Sequence, residues 1–132
     1  MKQIALSMKQ MDHLKELGVD MSDASLCWVV DSFGNYKLEV YDKSSPEIHH
    51  LHPIPAYTLQ DIIDKLPRCI ETSFDCYKMC IEPSGGYWTT YYCRADTTEL
   101  ISVDNENLID SAYEMLCWVL KEYPQALKGG KE

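Results

Sequence analysis

Two β-rich segments, each interrupted by a short glycine-containing turn, constrain the fold of this chain more than any other feature. The first, LCWVVDSFGNYKLEVYD, has strand-forming residues on both sides of Ser32-Phe33-Gly34-Asn35. The second, CYKMCIEPSGGYWTTYYCR, has them on both sides of Ser84-Gly85-Gly86. Each pattern predicts a β-hairpin. Because parallel neighbours need crossovers of about a dozen residues, such short links predict antiparallel strands.

Three segments around these strands have helical signals. Apolar residues recur on one helical face between positions 7 and 17, and Gly18 can end that helix. Thr58 is an N-cap candidate for a short second helix that stops at Pro67. Between the first hairpin and the second helix lies the proline-containing segment KSSPEIHHLHPIPAY. It has no helical period, which predicts an extended connection.

The last helix is predicted to start at a cap formed by Asp104 or Asn105 and to run to about Tyr123. It has a main apolar face and a second one formed by Tyr113, Cys117 and Leu120, so it is apolar over most of its circumference. Such a helix is usually buried on two sides or lies at a dimer interface.

These elements predict an α+β fold in which an antiparallel sheet of about five strands carries three helices, in the order α-β-β-α-β-β-β-α. The chain has 132 residues, the size of a single domain spanning 1–132. Its small, polar end is expected to be a frayed tail from about residue 125. The expected core comprises Leu14, Ile62, Leu66, Tyr77, Met79, Ile81, Leu108, Ala112, Met115 and Leu116.

The register of the second hairpin decides which aromatic side chains face outward. A three-residue loop, Ser84-Gly85-Gly86, places Trp88 and Tyr92 on the outer face. There they form an exposed aromatic stripe unless a helix covers them, and Arg94 lies beside them. Half-exposed aromatic residues with a neighbouring arginine are common at protein interfaces. The candidate interaction surface consists of Trp88, Tyr92, Arg94 and Tyr113.

The charge balance limits the classes of partner. The chain carries 12 basic and 21 acidic residues, a formal net charge of −9. Because nucleic-acid affinity depends on basic side chains, we expect no nucleic-acid partner. The apolar surfaces favour a homodimer or a protein partner with a basic rim. With neither an export signal nor an apolar run that could span a membrane, we expect a cytoplasmic protein whose six cysteines are thiols.

Histidines and cysteines are the candidates for chemistry. His49, His50 and His52 lie close together, and two imidazoles on one side of an extended chain could begin a zinc or nickel site. A third and fourth ligand are not identifiable, so a solvated loop is the favoured interpretation. Cys76 and Cys80 on a strand lie about 13 Å apart, too far for one metal ion. We therefore expect no metal centre, no cofactor and no catalytic residue.

Three segments resemble a family of small proteins, without assigned function, from gut Bacteroides-type bacteria and their prophages or mobile elements. These segments are MDHLKELGVDMSDAS, IPAYTLQDIIDKLP and NLIDSAYEMLCWVLKE, and the resemblance extends to about Tyr123. It implies an intracellular accessory protein of a phage-like element. The function predicted is a non-catalytic interaction protein of adaptor or inhibitor type. The alternative is a small metal-dependent or cysteine-type hydrolase that uses His49, His50 and His52.

Overall fold

The structure, a computed structural model, describes residues 3–127, which contain seven β-strands and four α-helices. In chain order these are α1 (Met8–Glu16), β1 (Leu26–Val30), β2 (Tyr36–Val40), α2 (Pro46–His50), β3 (Ile54–Ala56), α3 (Leu59–Lys65), β4 (Cys69–Glu71), β5 (Cys76–Ser84), β6 (Tyr87–Cys93), β7 (Glu99–Asn105) and α4 (Leu108–Glu122). The strands form two antiparallel sheets, in the orders β2-β1-β3 and β4-β5-β6-β7. The α+β class is confirmed, whereas the single five-stranded sheet and the three helices are wrong.

The missed elements are too short to show a periodic pattern. Helix α2 lies in the segment that was expected to be extended. Its signal is the pair Ser45-Pro46, because Ser45 Oγ accepts a hydrogen bond from the Ile48 N–H at 3.3 Å and proline fits the first helical turn. Strands β3 and β4 have three residues each.

The described residues form two compact units. One is Ile4–Asp61, which includes α1, α2 and the three-stranded sheet. The other contains Gln3 and the described residues from Ile62 onward, including α4 and the four-stranded sheet. The single-domain organisation stays a prediction. Residues Pro124–Ala126 form a 3₁₀ turn and Leu127 is buried, while the end of the expected frayed tail, from position 128, lies outside the described residues.

In the first unit, α1 begins where the sequence predicts, with a reciprocal cap. The Gln10 N–H donates to Ser7 Oγ at 3.1 Å, and the Ser7 N–H donates to Gln10 Oε1 at 2.9 Å. The fully buried side chains of this unit include Leu6, Met11, Leu14, Val29 and Tyr57. Burial and a 2.8 Å hydrogen bond to Asp23 raise the pKa of Tyr57 above its usual value.

Helix α3 also begins at its predicted cap. Thr58 Oγ1 accepts from the Asp61 N–H at 3.2 Å, and the Thr58 N–H donates to Asp61 Oδ2 at 2.9 Å. Asp61 also accepts hydrogen bonds from the main-chain N–H and the hydroxyl of Ser25, at 2.9 and 2.6 Å. One carboxylate therefore links the start of α3 to the residue before β1.

In the second unit, α4 packs on one face of the four-stranded sheet, against β6 and β7. Thr90 and Tyr92 of β6 are fully buried, as are Ser111, Ala112 and Met115 of α4. Asp104 and Asn105 belong to β7, and Asn107 occupies the N-cap position of α4. The predicted cap was therefore wrong by two to three residues, because β7 continues farther than expected.

The register of the β5–β6 hairpin differs from the prediction by one residue. Ser84 pairs with Tyr87, so the loop is Gly85-Gly86, and Gly85 has φ +65° as in a type II′ turn. Because a one-residue shift moves every side chain of a strand to the other face, Tyr92 faces the core instead of the outside. Its partner across the ladder is Met79.

The expected core is correct for the helices and weaker for β5. Six of its residues are buried, namely Leu14, Ile62, Leu66, Ala112, Met115 and Leu116. The other four, Tyr77, Met79, Ile81 and Leu108, are only partly buried. Within residues 3–127, no helix has both the length and the apolar composition that crossing a bilayer requires.

Candidate functional site

One face of the β1–β2 hairpin carries only aliphatic and aromatic side chains and is exposed toward β2. Toward β3 the same face is covered, since Ala56 is fully buried and Trp28 Nε1 donates a hydrogen bond to Leu6 O at 2.9 Å. The cross-strand pairs Leu26↔Val40, Trp28↔Leu38 and Val30↔Tyr36 place six side chains on the same side, here called the apolar hairpin face. Three of them are half-buried and three are exposed, with Val40 at 68% and Tyr36 at 51%. The buried side chains of β1, Cys27 and Val29, belong to the opposite face.

Strand β2 supplies half of the side chains of this face and lies at an edge of its sheet. The hydrogen bonds from the Asp31 N–H to Asn35 O, at 2.8 Å, and from the Tyr41 N–H to Ser25 O, at 3.0 Å, fix the alternation of the ladder. Lys37 therefore directs its main-chain groups toward β1. Leu38 directs its N–H and C=O toward the open edge.

Charged side chains of β2 lie on the side opposite the apolar hairpin face. Lys37 Nζ is 3.3 Å from Glu39 Oε2, and the two side chains are 58% and 41% exposed. The open edge strand therefore has one purely apolar side and one side with a single charge of each sign.

The turn of this hairpin is held by Asp31. Its Oδ1 atom accepts hydrogen bonds from the Phe33 and Asn35 N–H groups at 2.8 and 2.9 Å. The bonds from Asn35 and Phe33 hold the pKa of Asp31 below its ordinary value. Phe33 itself is 87% exposed at the tip, which adds an apolar side chain next to the apolar hairpin face.

A second cluster lies on the face of the four-stranded sheet that α4 does not cover. Here Cys69 and Glu71 of β4 face β5, where Cys76 lies directly opposite Glu71. The two sulfurs and a carboxylate oxygen all lie within 4.8 Å of one another. Cys69 is half-buried, whereas Glu71 and Cys76 are exposed. The hydrogen bond with Cys76, together with burial, raises the pKa of the Cys69 thiol. We call these three residues the Cys69 cluster.

Two further cysteines share this face of the sheet. The register places Cys80 opposite Tyr91 and Cys93 opposite Lys78, so that Cys80 and Cys93 are diagonal neighbours. Burial and a hydrogen bond with Cys80 raise the pKa of the Cys93 thiol. Within residues 3–127, the Cys69 cluster is the one group of three His, Cys, Asp or Glu side chains close enough together to hold a metal ion. Cys80 and Cys93 therefore have no third ligand of these types within reach among those residues.

The predicted interaction residues do not form one outer surface. Tyr92 is fully buried, and its hydroxyl donates to Pro67 O at 2.7 Å, so its expected exposure is wrong. Trp88 and Tyr113 are half-buried. Arg94 binds Asp75 and Asp96, each at 3.0 Å, and thus stabilises loops. Contact of Trp88, Arg94 or Tyr113 with a partner stays a prediction.

The predicted histidine cluster is solvent-exposed. His49 and His50 belong to α2, so the extended geometry expected for this segment is wrong. His52 follows the helix with φ +52°, and His49 Nε2 contacts Lys43 O. None of the three histidines belongs to a group of three metal-binding side chains within residues 3–127. The histidine-based hydrolase therefore receives no support from the geometry.

Two concavities lie elsewhere. One, of about 240 Å³, is formed by α1 and β3 and is lined partly by Met8, Met11 and Met21. The other, of about 280 Å³, adjoins β4 and is lined by Cys69 and Glu71 on one side and by Tyr123, Gln125 and Ala126 on the other. The second concavity gives two members of the Cys69 cluster an open approach.

Fold and surface together define an α+β protein with one open apolar sheet face and one thiol-rich sheet face. Comparisons with protein-family models, with curated proteins and with solved structures find no match to this chain.

Sequence reasoning missed the Cys69 cluster because it missed β4. The turn Thr72–Asp75 brings Cys76 back beside Glu71, and it is closed by the Thr72 N–H donating to Asp75 O at 2.8 Å. The available signal was the spacing C-x-E, a four-residue turn and then C. Alternation puts the first two residues on one side of a strand, and a tight turn brings the third across from them.

Proposed function

We propose that this chain is a non-catalytic protein-interaction protein that forms a homodimer through the edge of β2 and the adjoining apolar hairpin face. The observation that carries the proposal is that the six side chains on one face of this hairpin are all apolar and none is fully buried. Contiguous exposed apolar surface is unusual on monomers and commonly marks a contact site. An open edge strand is likewise a template for pairing with another strand.

The sequence of β2 is self-complementary in an antiparallel arrangement. Its residues are Tyr-Lys-Leu-Glu-Val, centred on Leu38. With a two-fold axis at Leu38, Tyr36 lies opposite Val40 of the second copy, and Lys37 lies opposite Glu39 of the second copy. Every pair then matches apolar with apolar or positive with negative. Opposite charges facing each other across strands stabilise such a pair by about 0.2–1 kcal/mol each.

The hydrogen-bonding groups agree with this register. The N–H and C=O of Leu38 point to the open edge, so Leu38 can exchange two hydrogen bonds with Leu38 of the second copy. Lys37 and Glu39 then form the pairs without hydrogen bonds, in which side chains approach more closely. The two copies together make a six-stranded sheet in which the apolar hairpin faces lie side by side. Tyr36, Leu38 and Val40, the side chains next to the pairing edge, then contact those of the second copy and lose part of their exposed apolar surface.

The net charge of −9 does not prevent this association. Two acidic chains repel each other, but the apolar hairpin face carries no charge. In the proposed register, Lys37 and Glu39 of β2 each face a side chain of opposite charge in the second copy. Within the two paired strands, the charged side chains thus lie on the side opposite the apolar hairpin face. In the role implied by the family resemblance, the dimer is an adaptor or inhibitor-type accessory protein of a phage-like element in the cytoplasm.

Light scattering on the purified chain at micromolar concentration tests the proposal, with a dimer as the expected result. Lys37→Glu places like charges opposite each other in both symmetric pairs and should weaken the dimer about tenfold or more. Glu39→Lys should do the same. The double variant Lys37→Glu/Glu39→Lys restores opposite charges in the proposed register, so its dimer should recover most of the wild-type affinity.

The double variant distinguishes pairing of the β2 edges from association through a different surface. If the chain self-associated through a different surface, or if the apolar hairpin face bound a different protein, the charge swap Lys37→Glu/Glu39→Lys would not be expected to restore the dimer. A monomer at about 100 μM, or single variants that dimerise as well as the wild type, would contradict the homodimer. Lys9→Glu, an exposed change on α1, is the matched control for net charge and should leave the dimer unchanged.

A further inference from the structure

We propose that Cys69, Glu71 and Cys76 form a binding site for one zinc ion, with two thiolates, one carboxylate and a fourth position open to water. This site lies on the four-stranded sheet and is independent of the proposed dimer interface on β2. Zinc is bound by cysteine sulfur and by carboxylate oxygen in tetrahedral sites. Thiolate ligands favour zinc over the hard cations magnesium and calcium.

The ladder between β4 and β5 holds the three ligands on one side. The Met79 N–H donates to Arg68 O at 3.0 Å, and the Thr72 N–H donates to Asp75 O at 2.8 Å. By alternation, Glu71 and Cys76 are a pair without hydrogen bonds, with Cα atoms about 4.5 Å apart and side chains close together. Cys69 lies two residues before Glu71 and projects to the same side.

The spacing of the sulfurs suits a metal better than a disulfide. Two sulfurs bound to one tetrahedral zinc at about 2.3 Å lie about 3.8 Å apart, and the sulfurs of Cys69 and Cys76 lie within 4.8 Å of each other. Diagonal neighbours on antiparallel strands have Cα atoms about 7–8 Å apart. A disulfide usually needs them within about 6.8 Å, so it requires movement of the backbone whereas zinc does not.

The surroundings supply charge balance and access. Two thiolates and one carboxylate with Zn²⁺ have a net charge of −1, after two thiol protons are released to solvent. Lys78 lies directly opposite Cys69 on the neighbouring strand and compensates this charge. The adjacent concavity of about 280 Å³, whose lining includes Cys69 and Glu71, gives solvent access to two of the three ligands.

Cys80 and Cys93 provide an internal control. They are also diagonal neighbours on the same face of the sheet, but within residues 3–127 they have no third ligand within coordination reach. Two thiols alone should bind zinc much more weakly than two thiols with a carboxylate. The variant Cys80→Ser/Cys93→Ser therefore preserves the proposed site while removing the same number of thiols as Cys69→Ser/Cys76→Ser.

The experiment uses the reduced full chain without a histidine tag, with Zn²⁺ or Co²⁺ alone as the probe. Titration against a chromophoric chelator should give one zinc per chain. Co²⁺ should give the charge-transfer absorption of a thiolate ligand and the visible bands of tetrahedral cobalt. Cys69→Ser/Cys76→Ser should weaken binding at least about 100-fold, since even the loss of an outer-shell partner costs about 10–100-fold. Glu71→Gln should weaken it about tenfold or more.

The control variant must keep both the stoichiometry and the cobalt spectrum. Zinc binding that survives in Cys69→Ser/Cys76→Ser, that disappears in Cys80→Ser/Cys93→Ser, or that gives cobalt spectra without thiolate absorption would overturn the proposal. Far-UV circular dichroism of each variant establishes that it is folded. If the double serine variant does not fold, Glu71→Gln and the cobalt spectrum of the wild type decide the question, since Glu71 is exposed.

Discussion

The hydroxyl of Tyr92 on β6 donates a 2.7 Å hydrogen bond to the carbonyl oxygen of Pro67, just before β4. Tyr92 is fully buried and Pro67 lies in a buried position. The bond thus connects β6 to the residues that lead into β4, a strand that is not next to β6 because β5 lies between them. Burial raises the pKa of Tyr92 above its usual value, so this tyrosine keeps its proton and its O–H donates the hydrogen bond to Pro67 O.

Tyr92→Phe should destabilise the protein by about 1–3 kcal/mol, because it leaves the buried carbonyl of Pro67 without this hydrogen bond while keeping the ring. Urea unfolding followed by circular dichroism measures the change. The matched control is Tyr91→Phe, which removes the exposed 2.9 Å bond to Glu82 and should cost less than about 0.5 kcal/mol. Equal losses of stability in the two variants would show that the buried hydrogen bond of Tyr92 contributes no more than the exposed one of Tyr91.

The carboxylate of Asp31 should make stability depend on pH. Hydrogen bonds from the Asn35 and Phe33 N–H groups depress its folded pKa, so its contribution is fully present above its unfolded pKa of about 3.9 and disappears as the pH falls through the lower folded value. Asp31→Ala should therefore be less stable than the wild type at pH 7. The difference in unfolding free energy should shrink steadily on acidification.

Asp31→Asn separates the charge from the acceptor, because the amide oxygen can still accept from Phe33 and Asn35. It should lie between the wild type and Asp31→Ala at pH 7, and it should converge with the wild type at low pH. A difference that stays constant from pH 7 down to the acid transition would contradict this role for the carboxylate.

The sequence predicts the starts of α1 and α3 better than it predicts how the strands pair. The cap at Thr58 was predicted and the cap at Ser7 was not, but both are local, since each depends on a residue three positions away, and both helices begin close to where expected. The loop around Gly85 was predicted one residue too long, and that single residue reversed the faces of β6. Local patterns do not determine how strands divide between sheets, so one sheet was expected where two exist.

For the candidate sites, too, the sequence shows which residues are present but not how the fold brings them together. The six apolar residues of the first hairpin are visible in the sequence, but their exposure depends on which face of the sheet the rest of the chain covers. The Cys69 cluster depends on the pairing of Glu71 with Cys76, and a three-residue strand gives too little alternation to reveal it. The histidines are close together in the sequence, but neighbouring positions in α2 do not converge on one point.

The direction of the main-chain groups of β2 gives the sharpest test of the proposed dimer. Leu38→Pro removes an N–H that points to the open edge, so the β1–β2 ladder loses no hydrogen bond. We therefore expect a folded monomer with only a small loss of stability. Lys37→Pro removes an N–H that points to β1 and should destabilise the fold itself by about 1–3 kcal/mol, because a ladder hydrogen bond is lost.

Light scattering and thermal unfolding, measured on the same samples, distinguish the two outcomes. In the dimer, Leu38 exchanges two hydrogen bonds with Leu38 of the second copy, and with proline in both copies neither of them can form. Leu38→Pro should thus shift the molecular mass from dimer to monomer while its circular dichroism stays native. A Leu38→Pro variant that remains dimeric at low micromolar concentration would contradict pairing of the β2 edges about Leu38, because proline removes both central hydrogen bonds and places its ring where the second strand must approach.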